Sequence, residues 1–171
     1  MNVTIVIGSI TEQEVDVVVN SANTELVMGG GVAAAILAEA GPEVEEEAIA
    51  QAPIAVGEVI VTHAGELPAK WIAHVAVVGL APPDIYECTV NALHAAADLE
   101  AGSTAFPALG TGSAGISTRE SAQGMCEAIM AFASEPSCLS EVRIVLWDDR
   151  QFNVFSKALR LARRNLLNQD N

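Results

Sequence analysis

Positive charge is scarce in this chain. Of 171 residues, 8 are Lys or Arg against 22 Asp or Glu, giving a net charge of −14. Sequence-independent nucleic-acid binding relies on cations that neutralise phosphates, so this composition argues against it. Aromatic residues make up only 4%, so the core must be built from Ala, Val, Ile and Leu. The three cysteines, Cys88, Cys126 and Cys138, show no metal-ligand or redox spacing. An odd cysteine count without a signal-peptide pattern is expected of a reduced, cytoplasmic protein. No apolar run approaches the roughly 18 residues of a membrane span. Neither a Gly-Lys-Ser/Thr phosphate loop nor a Gly-x-Gly-x-x-Gly fingerprint in a first strand–helix turn is present. His63, His74 and His94 are scattered and read as structural. No repeat or low-complexity segment interrupts the chain.

What is present is apolar. Hydrophobic residues reach 51% and charged residues 18%, which sets the chain apart from disordered sequences. Its length predicts one domain over 1–171, with 162–171 as a C-terminal helix end or tail. The acidity serves solubility on the simplest reading, with a salt-rich habitat as the alternative.

Strand and helix patterns alternate along the chain. Val3–Ile7 and Val17–Asn20 read as strands, the second apolar on both faces and therefore central. A helix is expected from Val32, stopped by Gly41-Pro42, then a short acidic helix after Pro42. Glu58–Thr62 and Trp71–Val78 read as strands. Asp84 and Glu87 are spaced as a capping box for a helix over residues 85–99. Ser103–Pro107 is a strand, and Ser117 with Glu120 a second capping box. The helix after it turns Met125, Cys126 and Ile129 to one side. Val142–Trp147 is the last strand. Asp148 or Asp149 caps a final helix that buries Phe152, Phe155 and Leu159, with Arg160, Arg163 and Arg164 towards its C-terminal end. The order predicts a layered α/β fold with a central mixed, largely parallel sheet and ligands outside the carboxyl ends of the strands.

Three strand ends carry unusual chemistry. Asn20-Ser21-Ala22-Asn23 leads to Gly29-Gly30-Gly31-Val32 and a helix start. Gly110-Thr111-Gly112-Ser113-Ala114-Gly115-Ile116 follows another strand, and Trp147-Asp148 ends the last. Free N–H groups at a helix start, the positive end of its dipole and glycines without a Cβ make an anion cradle. Two such loops are able to clamp a diphosphate from both sides. Asparagine offers an acceptor and donors on one planar group, suited to ribose hydroxyls. Of the pair, Asn20 is expected to cap the turn and Asn23 to face ligand. Trp147 is a candidate to stack on a base.

The segments VVNSAN (18–23), GGGVAAAI (29–36), GELPAKWIAH (65–74) and FPALGTGSAGI (106–116) resemble the macro domain, the ADP-ribose-binding module, in order and spacing from Met1 to about Leu161. The resemblance implies a three-layer α/β/α sandwich. It implies that Gly29–Val32 and Gly110–Ile116 hold the diphosphate, that Asn23 contacts the distal ribose, that Trp147 packs on adenine and that Ile10 walls the adenine pocket. The implied ligand set is Ser9, Ile10, Asn20, Asn23, Gly29, Gly30, Gly31, Val32, Gly110, Thr111, Gly112, Ser113, Ala114, Gly115, Ile116, Trp147 and Asp148, with no metal and no cofactor. The implied partner is ADP-ribose or ADP-ribosylated protein, bound by a monomer.

Three residues depart from the family pattern. Ser9 stands where an aspartate usually accepts a hydrogen bond from the adenine amino group, a loss on the order of 1 kcal/mol. Ala33 stands where one hydrolase branch carries a water-activating aspartate. Ala114 replaces an aromatic that covers the distal ribose. ADP-ribose binding with slow hydrolysis at the distal ribose, in which Asn23 acts by orientation, is one reading. A non-catalytic reader, a phosphatase acting on ADP-ribose 1″-phosphate, and a macro-like protein for another nucleotide or a protein partner are the alternatives. Ala33 favours slow catalysis or none.

Overall fold

The computed structural model describes residues 1–169, so the last two positions of the expected C-terminal tail lie outside the described residues. Six strands form one sheet: β1 (Asn2–Ile7), β2 (Val17–Asn23), β3 (Val59–His63), β4 (Trp71–Val78), β5 (Ser103–Phe106) and β6 (Glu141–Leu146). Five α-helices accompany them: α1 (Gly31–Ala40), α2 (Glu43–Ile49), α3 (Ile85–Asp98), α4 (Thr118–Phe132) and α5 (Asp149–Gln169). The sheet order is β1-β6-β5-β2-β4-β3. Every neighbouring pair is parallel except β3–β4, which is antiparallel.

Alternation along the strands sorts the core into two layers. Val17, Val19, Ala73, Val75 and Ile144 pack with Cys88, Leu93, Met125, Ile129 and Phe155 of α3, α4 and α5. Val18, Ile72, Ala105 and Val145 pack on the other side with Ile36, Ala40 and Val44 of α1 and α2. This is the α/β/α sandwich expected from the sequence, and β2 is central, flanked by β5 and β4.

Asp16 ties the opening ends of three strands together. Its carboxylate accepts the N–H groups of Gly102 (2.9 Å) and Ser103 (3.2 Å) and pairs with Lys70 Nζ at 2.7 Å. The Lys70 hydrogen bond is the largest cause holding the Asp16 carboxyl below its ordinary range, joined by the Gly102 and Ser103 amides against the cost of burial.

Local boundaries differ where tertiary pairing overrides the local signal. β2 runs through Asn23 rather than stopping at Asn20, because Ser21, Ala22 and Asn23 continue the ladder to β4 across an irregularity at Ala22/Asn23. β6 ends at Leu146, leaving Trp147 outside the strand. α1 begins at Gly31, one residue early. The Ser117–Glu120 capping box forms in both directions. Asp84 accepts the Glu87 N–H at 3.1 Å, the single cap bond at that helix start. α5 continues past Arg163, so that arginine is not at a helix terminus; its Nη2 donates instead to the Val3 carbonyl at 2.8 Å.

A polar chain crosses the sheet beneath α1 and α2. Thr62 Oγ1 donates to the His63 carbonyl (3.0 Å) and so accepts from His74 Nε2–H (2.9 Å). His74 Nδ1 then accepts from Asn20 Nδ2 at 3.1 Å. Asn20, Thr62 and His74 are all fully buried. Burial disfavours the imidazolium and pushes the His74 pKa down to about 4. An unfolded His74 binds its proton near pH 6.5 while the folded one stays neutral to about pH 4. Stability is therefore unaffected by this group above pH 6.5 and falls as pH drops through that window, by about 3 kcal/mol in all. Urea unfolding of the wild type and His74→Gln across this range should show the extra acid sensitivity only in the wild type.

Candidate functional site

Because β1, β2, β4, β5 and β6 run parallel, their carboxyl ends share one edge of the sheet. A cleft of about 500 Å³ opens along it. One wall is Gly30, Gly31, Val32 and Ala35 at the start of α1; the other is Ala108 and Gly110–Ala114 after β5. Ser21 and Val78 form the floor, and Trp147 with Gln151 closes one end. The two glycine loops expected to form a clamp do face each other.

The start of α1 differs from every other described helix start. α3 is capped by Asp84, α4 by Ser117, α5 by Asp148 (Gln151 N–H to Oδ1, 2.8 Å), and the 3-10 turn at Ile10–Glu12 by Ser9. α2 lacks a side-chain cap but holds Glu43, Glu45 and Glu46 in its first turn. α1 has Gly30 as N-cap, with no side-chain cap and no acidic residue in its first turn. Its first N–H groups have no intrahelical partner by construction, and they open on the cleft. No atom approaches within 4 Å of a Cβ built on Gly29, Gly30, Gly31 or Gly112. Behind the loop, Glu45 Oε1 accepts the Met28 N–H at 2.6 Å and fixes the approach to the glycines. In the second loop, Ile116 N–H donates to the Gly110 carbonyl (3.0 Å) and Gly115 N–H to the Gly112 carbonyl (2.9 Å). Those turns hold residues 111–114 outward. Gly110 N–H reaches Ser21 Oγ at 3.5 Å, linking the loop to the end of β2.

The turn-capping role falls to Asn23 rather than Asn20, and neither asparagine is in the cleft wall. Asn20 is not a turn cap: it lies mid-strand, fully buried and bonded to His74, away from the cleft wall. The turn belongs to Asn23. Its Oδ1 accepts the N–H groups of Glu25 (3.1 Å) and Val27 (3.3 Å), and its Nδ2 donates to the Val27 carbonyl (2.8 Å). One amide hydrogen of Asn23 remains for anything else. The physical reason is the length of β2: the turn starts three residues later than the polar run suggests.

Of the other expected ligand residues, Gly29, Gly115, Ile116, Asp148, Ser9 and Ile10 are not in the cleft wall. Ile10 is buried in the α1-side core. Ser9 caps its own turn, with its hydroxyl 2.7 Å from Thr11 Oγ1 and accepting the Thr11 N–H at 3.3 Å. Trp147 is 61% exposed and lines the cleft, as its place past a strand end suggested. Ser21, Val78, Ala108, Ala35 and Gln151 were not foreseen. Ser21 shares the strand face of Val19, a signal visible only once β2 is known to extend. Gln151 follows Trp147 by four residues, and its Oε1 accepts the Trp147 N–H at 3.2 Å.

Among the described residues, no Asp, Glu, His, Lys, Arg or Cys lines this cleft. Ala33 is buried against the α1-side core and offers no proton-transfer group. A second hollow of about 420 Å³ lies along the flanks of α4 and α5, lined by Arg119, Gln123, Glu127, Lys157 and apolar side chains. The strand-end cleft is therefore the candidate site: neutral, with convergent backbone donors.

The family model described as Macro domain matches residues 19–125. An uncharacterized protein of Aquifex aeolicus is 39% identical over 166 residues, covering 94% of this chain and 99% of that protein. A macro domain-containing protein of Listeria monocytogenes is 35% identical over 175 residues, covering 93% and 97%. A glycine-to-valine variant of the Oceanobacillus iheyensis macrodomain, solved with ADPR, is similar at TM-score 0.85 and 29% identity, covering 92% of this chain and 91% of that one.

The two wall glycines should respond differently to a methyl group. Gly31 has φ +57°, in the left-handed region, while Gly30 is extended at −159°. Gly31→Ala should cost about 1–2 kcal/mol in urea unfolding. Gly30→Ala should cost less, about 0.5 kcal/mol, because Gly30 is extended and only the N-cap preference against alanine acts there. Equal losses would show that the loop geometry is not as described.

Proposed function

The chain belongs to the macro domain family, and on that premise we propose that it binds ADP-ribose and its derivatives in the strand-end cleft. The observation that carries this reading is the uncapped start of α1, with open glycines, facing a second glycine loop across about 500 Å³. A diphosphate is the ligand such opposed backbone donors fit. Trp147 supplies a stacking face at one end.

Binding, not fast chemistry, is the capacity this wall supports. With no titratable side chain in the cleft, hydrolysis at the distal ribose would depend on orientation of substrate and water alone. Proteins carrying ADP-ribose on acidic side chains and O-acetyl-ADP-ribose are the substrates for such slow release. A reader that only recognises the modified protein uses the same cleft. We further propose a cytoplasmic monomer; a reducing compartment suits three free thiols, two of them buried.

Calorimetric titration with ADP-ribose tests the binding reading. The wild type should give saturable heat. Gly30→Glu should abolish it by steric block and repulsion while leaving the thermal midpoint unchanged, because the position is extended and open. No heat from the wild type at high protein concentration would sink the reading.

Release of ADP-ribose from glutamate-linked mono-ADP-ribosylated protein tests the chemistry. It should be slow, with no bell-shaped pH dependence from about pH 6 to 8. A bell-shaped profile would require a titrating residue that this cleft wall does not hold.

A further inference from the structure

Resting on the ADP-ribose reading above, we propose that Leu80 contacts the polypeptide that carries the ADP-ribose and favours one with apolar residues beside the modified side chain. The strand order fixes where that polypeptide leaves the cleft. β6, β5, β2 and β4 stand side by side. Trp147 lies just past β6, and Val78, in the cleft floor, is the last residue of β4. Three strand spacings of about 4.8 Å each separate these ends. A nucleotide with its base on Trp147 and its diphosphate between the glycine loops therefore points its distal ribose towards β2 and β4. The protein is attached through that ribose and emerges there.

The loop beyond β4 presents an apolar side chain at this exit. Residues 79–82 are all exposed, and 79–83 carry no charge. Leu80 is 109% exposed, the largest value among the exposed large hydrophobics. Its Cα lies within about 7 Å of that of Val78, two residues back. A lone exposed leucine is ordinary on a protein surface; position and anchorage set this one apart. Thr24 N–H, at the end of β2, donates to the Val78 carbonyl at 3.0 Å. Gly79 packs so closely that a Cβ there would come 2.8 Å from Thr24 Cγ2 and 2.6 Å from Val56 Cγ2. On the far side Pro82 and Pro83 restrict the backbone, and Asp84 caps α3. Leu80 is thus held out from a short loop fixed at both ends, and nothing among the described residues covers it. In a chain of net charge −14 this uncharged loop offers an approaching polypeptide apolar contact rather than ionic contact.

Calorimetric titrations with three probes test the proposal. They are ADP-ribose, a peptide carrying ADP-ribose on a glutamine side-chain amide between two leucines, and the same peptide with serines in place of the leucines. The amide link lacks the ester of the glutamate linkage, so slow ester release does not consume the probe. The wild type should bind the leucine-flanked peptide about tenfold tighter than the serine-flanked one. Leu80→Ser should bind ADP-ribose as the wild type does and lose the tenfold difference. Equal affinities for the two peptides in the wild type, or a difference that persists in Leu80→Ser, would overturn the assignment while leaving ADP-ribose binding intact. Self-association of the wild type in analytical ultracentrifugation that Leu80→Ser abolishes would give Leu80 to a contact between copies and overturn it too. Absence of heat with all three probes would overturn the ADP-ribose reading itself and this proposal with it.

Discussion

Burial of β2 on both faces is the constraint on which the rest depends. Val17, Val18 and Val19 are fully enclosed, so each must find partners above, below and on both sides. Parallel ladders to β5 and β4 supply the backbone partners, and helices on each side supply the apolar ones. A strand so enclosed cannot slip by one residue without turning its side chains to the opposite layers. Asp16 holds its opening end to β4 and β5 through Lys70, Gly102 and Ser103. Asn23 closes the other end with three bonds into its own turn. Between those fixed points the place where α1 begins, and hence the position of its free N–H groups, is determined.

The acidic surface and the expected anionic ligand are reconciled by that geometry. A chain of net charge −14 cannot attract a diphosphate by its overall field. Surface repulsion is screened over about 8–10 Å at physiological salt. Backbone dipoles at the start of α1 and in residues 110–114 act at contact distance instead. The other described helix starts are capped or fronted by acidic side chains, which occupy the same donors. Placing glycine at the α1 N-cap costs only about a few tenths of a kcal/mol relative to a serine or aspartate cap. It leaves those donors to a ligand.

The same neutrality separates holding from transforming. General acid–base catalysis needs a side chain that titrates near working pH, within hydrogen-bond reach of the reacting atom. Ala33 faces the core, and the wall contributes hydroxyls, amides, one indole and backbone. The buried histidine is not a substitute: His74 lies beneath the sheet edge, bonded to Asn20 and Thr62 and kept neutral by burial.

Much of this was legible from residues alone. Apolar runs located the strands, glycine and proline located the breaks, the order of strands and helices implied a layered α/β fold with ligands at the strand ends, and the resemblance implied the three-layer sandwich. The two glycine loops and Trp147 were legible as site elements because glycine and an isolated indole past a strand end have few other uses there. The roles of Asn20 and Asn23 were not, since how far β2 pairs with β4 decides which asparagine is buried and which turns the chain. Ser9 and Ile10 were drawn into the site by resemblance, yet packing and a local cap place them outside its wall. Gln151 and Ser21 had no local signature; strand pairing and the cap of α5 bring them to the cleft. The sequence by itself determined which two glycine segments sit at strand ends, because patterning and glycine content act locally. Only the tertiary structure decided which side chains face the ligand, because that depends on register and on hydrogen bonds between segments distant in the chain.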